Sequence, residues 1–257
     1  MDMRRLVALS LGVKFIIAGF FIALFGVHYL FSQALFNRTA RLDSVKGALE
    51  RGADINARSK STYEKLSGLT PLMKAATWND LPRVRLLLDP KYKADINLRA
   101  DNRQGDTALI MAVRVPAYSK KDKQNKIGII NMLLERAADV NGKNNFGDSP
   151  FIATLDVAEL ELRKDVAKIL IDRGASIDAQ NNNGNTNLHI AIQRGFAPWV
   201  EWFLKNYGSR INLNLKNNDG YTIEELALRL KNIPVKRAVE NGLEYLRKKE
   251  KQERYPY

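Results

Sequence analysis

The sequence predicts an all-α repeat solenoid, built from helix-turn-helix pairs with hairpin loops between them and preceded by a single transmembrane helix. Two alternating phrases carry the solenoid. Five segments open on Gly-x-Thr-x-Leu or a close variant, at Gly68, Gly105, Gly147, Gly184 and Gly220, and a Gly-Ala-Asp-Ile-Asn phrase or its variant falls between them. An apolar run carries the membrane helix: Leu6 to Phe36 holds one charge, Lys14, and Phe15 to Phe31 holds none.

Taken in chain order, the first element is that run, expected to span a membrane from Phe15 to Phe36. Its uncharged part alone is at the short limit for crossing the hydrocarbon layer, and extension to Phe36 or snorkelling of Lys14 gives it full length. It stays apolar on every face, which separates it from a surface helix of a globular core. Arg4 and Arg5 with Ser32-Gln33-Ala34 keep a cleaved signal peptide open as the alternative, which would leave a secreted domain. Against cleavage, the run exceeds the usual 7 to 15 residue signal core. Basic residues flank both ends, Arg4, Arg5 and Lys14 before it and Arg38, Arg41, Lys46 and Arg51 after it, so the charge rule for orientation is close to balanced. The short N-terminal tail favours a cytoplasmic N-terminus and an extracytoplasmic, periplasmic solenoid.

The repeat openings read Gly68-Leu-Thr-Pro-Leu, Gly105-Asp-Thr-Ala-Leu, Gly147-Asp-Ser-Pro-Phe, Gly184-Asn-Thr-Asn-Leu and Gly220-Tyr-Thr-Ile-Glu, spaced by 37, 42, 37 and 36 residues. Thr70 is placed to cap a helix and Pro71 to occupy its first position. Each opening is followed by a second apolar stripe, such as Val84, Leu87 and Leu88, or Ile130, Leu133 and Leu134, at helical spacing. A pair of this kind cannot bury its own apolar face, so pairs stack. The second phrases are Gly52 to Asn56, Ala94 to Asn97, Ala137 to Asn141, Gly174 to Asp178 and a looser Ile211-Asn212. Asp54, Asp95, Asp139 and Asp178 are read as one recurring turn-forming position.

The two phrases resemble the T-P-L-H-x-A and G-A-D-V-N phrases of the ankyrin repeat family, over roughly residues 42 to 230. The spacings exceed that family's usual 33 residues, which calls for insertions. The largest is expected at Val115 to Lys126, as a protruding basic loop, with a long hairpin at Ala57 to Ser67. The first unit enters at Leu42 to Leu49 with only its second helix recognisable, and residues 221–246 form the closing unit. The expected division is therefore 1–36 anchor or uncleaved signal, 37–246 ankyrin-repeat domain and 247–257 charged tail.

Composition removes most catalytic chemistries. Without cysteine there is no thiolate nucleophile, disulfide or Cys-based metal centre, and of two histidines His28 lies in the apolar run. His189 holds the histidine place of the T-P-L-H phrase, for which the resemblance implies a hydrogen bond tying adjacent turns. No phosphate loop, nucleophile elbow or calcium loop is present, so no enzyme activity, metal, cofactor or small-molecule substrate is expected. Nucleic acid is not expected either, because the basic residues are scattered and form no phosphate-spaced stripe.

The resemblance implies binding of another protein through hairpin tips and the exposed side of the first helices. Tyr63, Arg99, Arg103, Lys143, Phe146, Asn182 and Lys216 lie at the tips, and Trp78 and Arg194 on the first helices. Tyr63, Trp78, Arg103, Phe146 and Arg194 are of the types that dominate interface energies. A formal charge of +13 fits an acidic partner. The expected role is an anchored adaptor or inhibitor, for example an immunity-type protein, with a scaffold or assembly subunit of a membrane complex as the alternative.

Overall fold

The computed structural model describes residues 33–61 and 63–254. Phe15 and Ser32 lie outside the described residues, and with them almost all of the expected membrane helix. Among the described residues no helix is long and apolar enough to cross a membrane.

The described chain is a row of helix pairs. Residues 33–36 are helical and precede α1 (Leu42–Glu50). The pairs that follow are α2 (Pro71–Thr77) with α3 (Leu81–Leu87), α4 (Ala108–Arg114) with α5 (Lys120–Glu135), and α6 (Pro150–Ala153) with α7 (Leu160–Asp172). Two more complete the row, α8 (Asn187–Gln193) with α9 (Ala197–Tyr207) and α10 (Ile223–Arg229) with α11 (Ile233–Arg254).

The Gly-x-Thr opening sets each first helix by the same chemistry. Thr70, Thr107, Ser149, Thr186 and Thr222 each accept a hydrogen bond from the backbone N–H three residues on, satisfying a donor that the first turn leaves orphaned. Pro71 and Pro150 then occupy a first-turn position where a missing N–H costs nothing. Stops are equally local. Asn79 turns left-handed after α2, and Val115 is extended after α4 because Pro116 follows it.

The core runs through the whole row. Val84 and Leu87, Ile129, Ile130 and Leu133, Val166 and Leu170, Val200, Phe203 and Leu204, and Val235, Val239 and Leu243 are all buried at helical spacing. Trp199 is fully buried and Trp202 half-buried, so the two neighbours divide between the core and the outer face. Trp199 also donates its indole N–H to Asn187 Oδ1 at 2.9 Å, which resolves its one polar atom inside the core.

One sequence expectation needs correction. Residues Val115 to Lys126 are not a protruding loop, because Ser119 and Asp122 form a reciprocal capping box that starts α5 at Lys120. The lysine run is the first turns of a long helix, and Lys126 is 1% exposed, donating to the Val113 carbonyl at the end of α4. Burial lowers its pKa to about 8. Helix α11 continues unbroken to Arg254, with its last buried residue at Leu246 and exposed charged turns beyond it. The long hairpin at 57–67 is present and closed by Ser59, whose N–H donates to the Leu69 carbonyl at 2.9 Å while its carbonyl accepts from the Gly68 N–H at 2.8 Å.

Residues 33–36 supply what the first unit lacked in sequence. Leu35 is fully buried, and Ala34 and Phe36 pack against the same core as α1, in the place of a first helix.

Two glycines separate backbone strain from crowding. Gly147 (φ +77°) and Gly174 (φ +89°) both hold left-handed conformations, but a Cβ at Gly147 would sit 2.6 Å from the Asn182 backbone nitrogen whereas one at Gly174 meets nothing within 4 Å. Gly174→Ala is expected to cost about 1 kcal/mol from conformation alone. Gly147→Ala should cost about 3 kcal/mol, because the next repeat must also move. Urea denaturation of the two variants against the parent chain checks the difference.

Candidate protein-binding surface

The tips are held in register by hydrogen bonds between successive repeats. Asp101 N–H donates to the Gly68 carbonyl at 2.9 Å, Asn145 to Gln104 at 2.9 Å, Asn182 to Phe146 at 3.0 Å and Asn218 to Asn183 at 3.0 Å. Side-chain amides repeat the link, from Asn102 to the Ser67 carbonyl, Asn145 to Asn102, Asn182 to Asn145 and Asn218 to Asn182. The surface is therefore pre-organised, with little ordering left to a binding event.

Beneath the tips lies a charged network centred on Arg114. Its guanidinium reaches Asp106 at 2.6 Å, Asp148 at 3.2 Å and Asp156 at 3.0 Å, joining three carboxylates from two successive repeats. Arg194 adds a fourth ion pair, to Asp156 at 2.9 Å. Asn144 and Asn181 donate to Asp106 and Asp148 at 2.7 and 3.0 Å. Burial alone would lower the Arg114 pKa, but the field of Asp106 foremost, then Asp156 and Asp148, raises it above the ordinary value. Sequence reasoning missed this cluster. Its signal is the Asp directly after the glycine of two repeat openings, Gly105-Asp106 and Gly147-Asp148.

His189 is fully buried, with Nε2 3.0 Å from the Tyr221 carbonyl of the next repeat and Nδ1 2.8 Å from the Thr186 hydroxyl. The Tyr221 contact requires Nε2–H as donor, which leaves Nδ1 to accept from Thr186. The expected tie between turns is thus present. Burial lowers the His189 pKa, and the Tyr221 carbonyl offsets only part of that.

The nine candidate contact residues fall into separate groups. Tyr63 (73% exposed) and Phe146 (44% exposed) stand on the hairpin tips either side of the one that carries Arg103. Phe146 and Arg103, with Glu64, Asn102 and Gln104, line a recess of about 200 Å³. Three others, Arg99, Lys143 and Asn182, hold successive tips together, and the Lys216 side chain pairs within its own repeat. Arg99 is hydrogen-bonded to Asn145, Lys143 donates to the Gln180 carbonyl at 2.7 Å, Asn182 donates to Asn145, and Lys216 lies 3.7 Å from Glu225. Arg194 belongs to the charged network. Trp78 is half-buried away from the recess, its ring covered by the Arg83 guanidinium at 5.2 Å and Lys74 at 6.0 Å. Leu66, on the same hairpin as Tyr63, is also 39% exposed.

Two expectations follow from this geometry. Arg114→Met leaves three carboxylates facing one another, one of them buried, and should cost about 3 kcal/mol in urea denaturation. Because the folded His189 holds its proton less tightly than the unfolded one, the unfolded state binds more protons as pH falls below 6.5. Stability is expected to drop from pH 6.5 downward until the folded pKa is passed, and a His189→Gln variant should lose less over the same interval.

A family model described as ankyrin repeats matches in three overlapping copies, over residues 31–144, 121–217 and 155–249. The chain is 31% identical over 146 residues to a putative ankyrin repeat protein of Acanthamoeba polyphaga mimivirus, a match covering 51% of this chain and 24% of that one. It is 32% identical over 154 residues to neurogenic locus notch homolog protein 1 of Xenopus laevis, covering 60% of this chain and 5% of the relative. With a B-cell lymphoma 3 protein homolog of Mus musculus the identity is 28% over 137 residues, covering 53% and 28%. The chain thus matches under a third of the length of each relative, and what is shared is the repeat array. Capped first helices, left-handed glycines and the His189 tie are the physical content of that match, and the chain belongs to the ankyrin-repeat family.

Proposed function

We propose that the protein is a membrane-anchored binding module that occupies another protein through the patch around Tyr63, Arg103 and Phe146. The observation that carries this reading is the pair of exposed aromatic rings on rigidly linked tips, beside a recess with an arginine on its wall. Aromatic and arginine side chains of this kind supply most of the energy of protein interfaces. The anchoring part rests on the apolar run from Phe15 to Phe36. The solenoid faces the periplasm of a bacterial envelope, and the module acts as an adaptor or inhibitor of the immunity type. Its excess of 41 basic over 28 acidic residues suits an acidic partner.

The test uses the full chain with a C-terminal tag. In intact cells or spheroplasts, external protease is expected to digest the tag while a membrane-bound fragment remains. Protection of the tag would overturn the orientation, and a shortened soluble form would show cleavage near Ser32-Gln33-Ala34. A stoichiometric complex is then isolated by cross-linking, and affinities are compared for Tyr63→Ala and Phe146→Ala. Each truncation is expected to weaken binding about tenfold or more, or about 1.4 kcal/mol. Undiminished affinity in both would remove this patch from the interface.

A further inference from the structure

The last residues of the apolar run are built into the solenoid. Leu35 is fully buried, and the Phe36 ring lies 5.2 Å from the Lys74 ammonium. Just beyond, Arg83 is only 2% exposed and its guanidinium donates to three backbone carbonyls, Asn37 at 2.7 Å, Ala40 at 2.8 Å and Arg38 at 3.3 Å. The guanidinium is itself fixed by the Trp78 face at 5.2 Å and by Asp80, 3.2 Å from its Nε. Asn37 closes the turn from within, its side-chain oxygen accepting from the Thr39 N–H at 2.9 Å and hydroxyl at 2.8 Å. No slack connector separates the end of the run from α1.

Chain length bounds where this joint can lie. Phe31, the last apolar residue before the polar Ser32 and Gln33, precedes the buried Leu35 by four residues, which span at most about 14 Å even when fully extended. The headgroup layer on one side of a bilayer is about 5–8 Å thick. Arg38 and Arg41, both exposed, follow immediately and carry charge complementary to anionic headgroups.

We propose that residues 33–40, clamped by Arg83, form a rigid collar that seats the first repeat directly on the lipid surface. The inference rests on the membrane reading given above. The solenoid is then fixed at its N-terminal end relative to the bilayer, and the final turn of the anchor is also the first helix of the repeat array. Removal of the run near Ser32-Gln33-Ala34 would strip support from Leu35.

The cysteine-free chain allows a clean test. Ser44→Cys, exposed on α1, is labelled with a donor dye in the full chain, reconstituted in vesicles of phosphatidylcholine and phosphatidylglycerol carrying an acceptor on the headgroups. A 20-residue Gly/Ser insert between Ser32 and Gln33 leaves the docked collar whole and adds about 25 Å of reach. Energy transfer is expected to be high in the parent chain and several-fold lower with the insert. Arg83→Met, which frees three carbonyls, should also lower it. Equal transfer with and without the insert would overturn the collar. Failure of the parent chain to float with the vesicles would overturn the membrane reading and the collar together, whereas flotation with weak transfer in the parent chain would overturn the collar alone.

Discussion

Everything in this molecule depends on the fact that a repeat cannot satisfy its own backbone. In the second phrase of each unit an Asn or Asp side chain reaches forward to the next unit. Asn56 accepts from the Asp95 N–H at 2.9 Å, Asn97 from Asp139 at 2.8 Å, Asn141 from Ser176 at 2.8 Å and Asp178 from Asn212 at 3.0 Å. Each bond is exposed and worth little alone, about 1 kcal/mol. Their value lies in register. Two flat helix pairs sharing an apolar face could slide, and one directional bond at a fixed position per interface removes that freedom.

The same ladder explains why several of the nine candidate contacts also make bonds within the array. A tip must be pinned to its neighbours before it can present anything, and the polar tip residues are what pins it. Arg99, Lys143 and Asn182 look free in sequence because they are polar and lie in turns, yet each reaches a group more than 35 residues away. The rings of Tyr63 and Phe146 stay exposed beside these bonds. The Arg114 network beneath acts in the same direction. Three carboxylates and two guanidiniums are held within hydrogen-bonding distance, so the floor under the tips is stiff and keeps one negative charge in excess.

Features set by local chemistry were legible in the sequence. Thr70, Thr107, Thr186 and Thr222 cap the helices whose starts the repeat phrase marked, and His189 makes the bond expected of its place. Features that depend on a competing local signal or a distant partner were not. The lysines from 120 to 126 suggest a loop by composition, and the capping box at Ser119 and Asp122 overrides them. Asp178 was aligned with Asp54, Asp95 and Asp139, but those three accept from the N–H two residues on, and Asp178 bonds to the next repeat instead. It stands at the Asn56 position, and Ser176 takes the Asp position. Trp78 resembled an interface anchor because nothing near it in sequence reveals that Arg83 and the segment from Asn37 to Ala40 cover that corner.

That corner also shows how an end differs from a middle in a stacked fold. An interior repeat has a neighbour on both sides, so its Asn and its apolar stripe are always answered. The first repeat has no predecessor among the described residues, and its apolar edge is completed by a first helix of only four residues, 33–36. Here the chain covers it with Leu35, drawn from a segment whose composition is otherwise that of a membrane helix, and locks it with a buried guanidinium on three carbonyls. A buried arginine is costly unless its donors are met, so such a clamp persists only where the carbonyls stay in place. At the other end, α11 runs 22 residues and covers the last interface with Val235, Val239, Leu243 and Leu246 before its charged turns continue into solvent. The two caps therefore solve one problem by opposite means: a long amphipathic helix where the chain can afford exposed polar turns, and a short apolar one where it emerges from an apolar run.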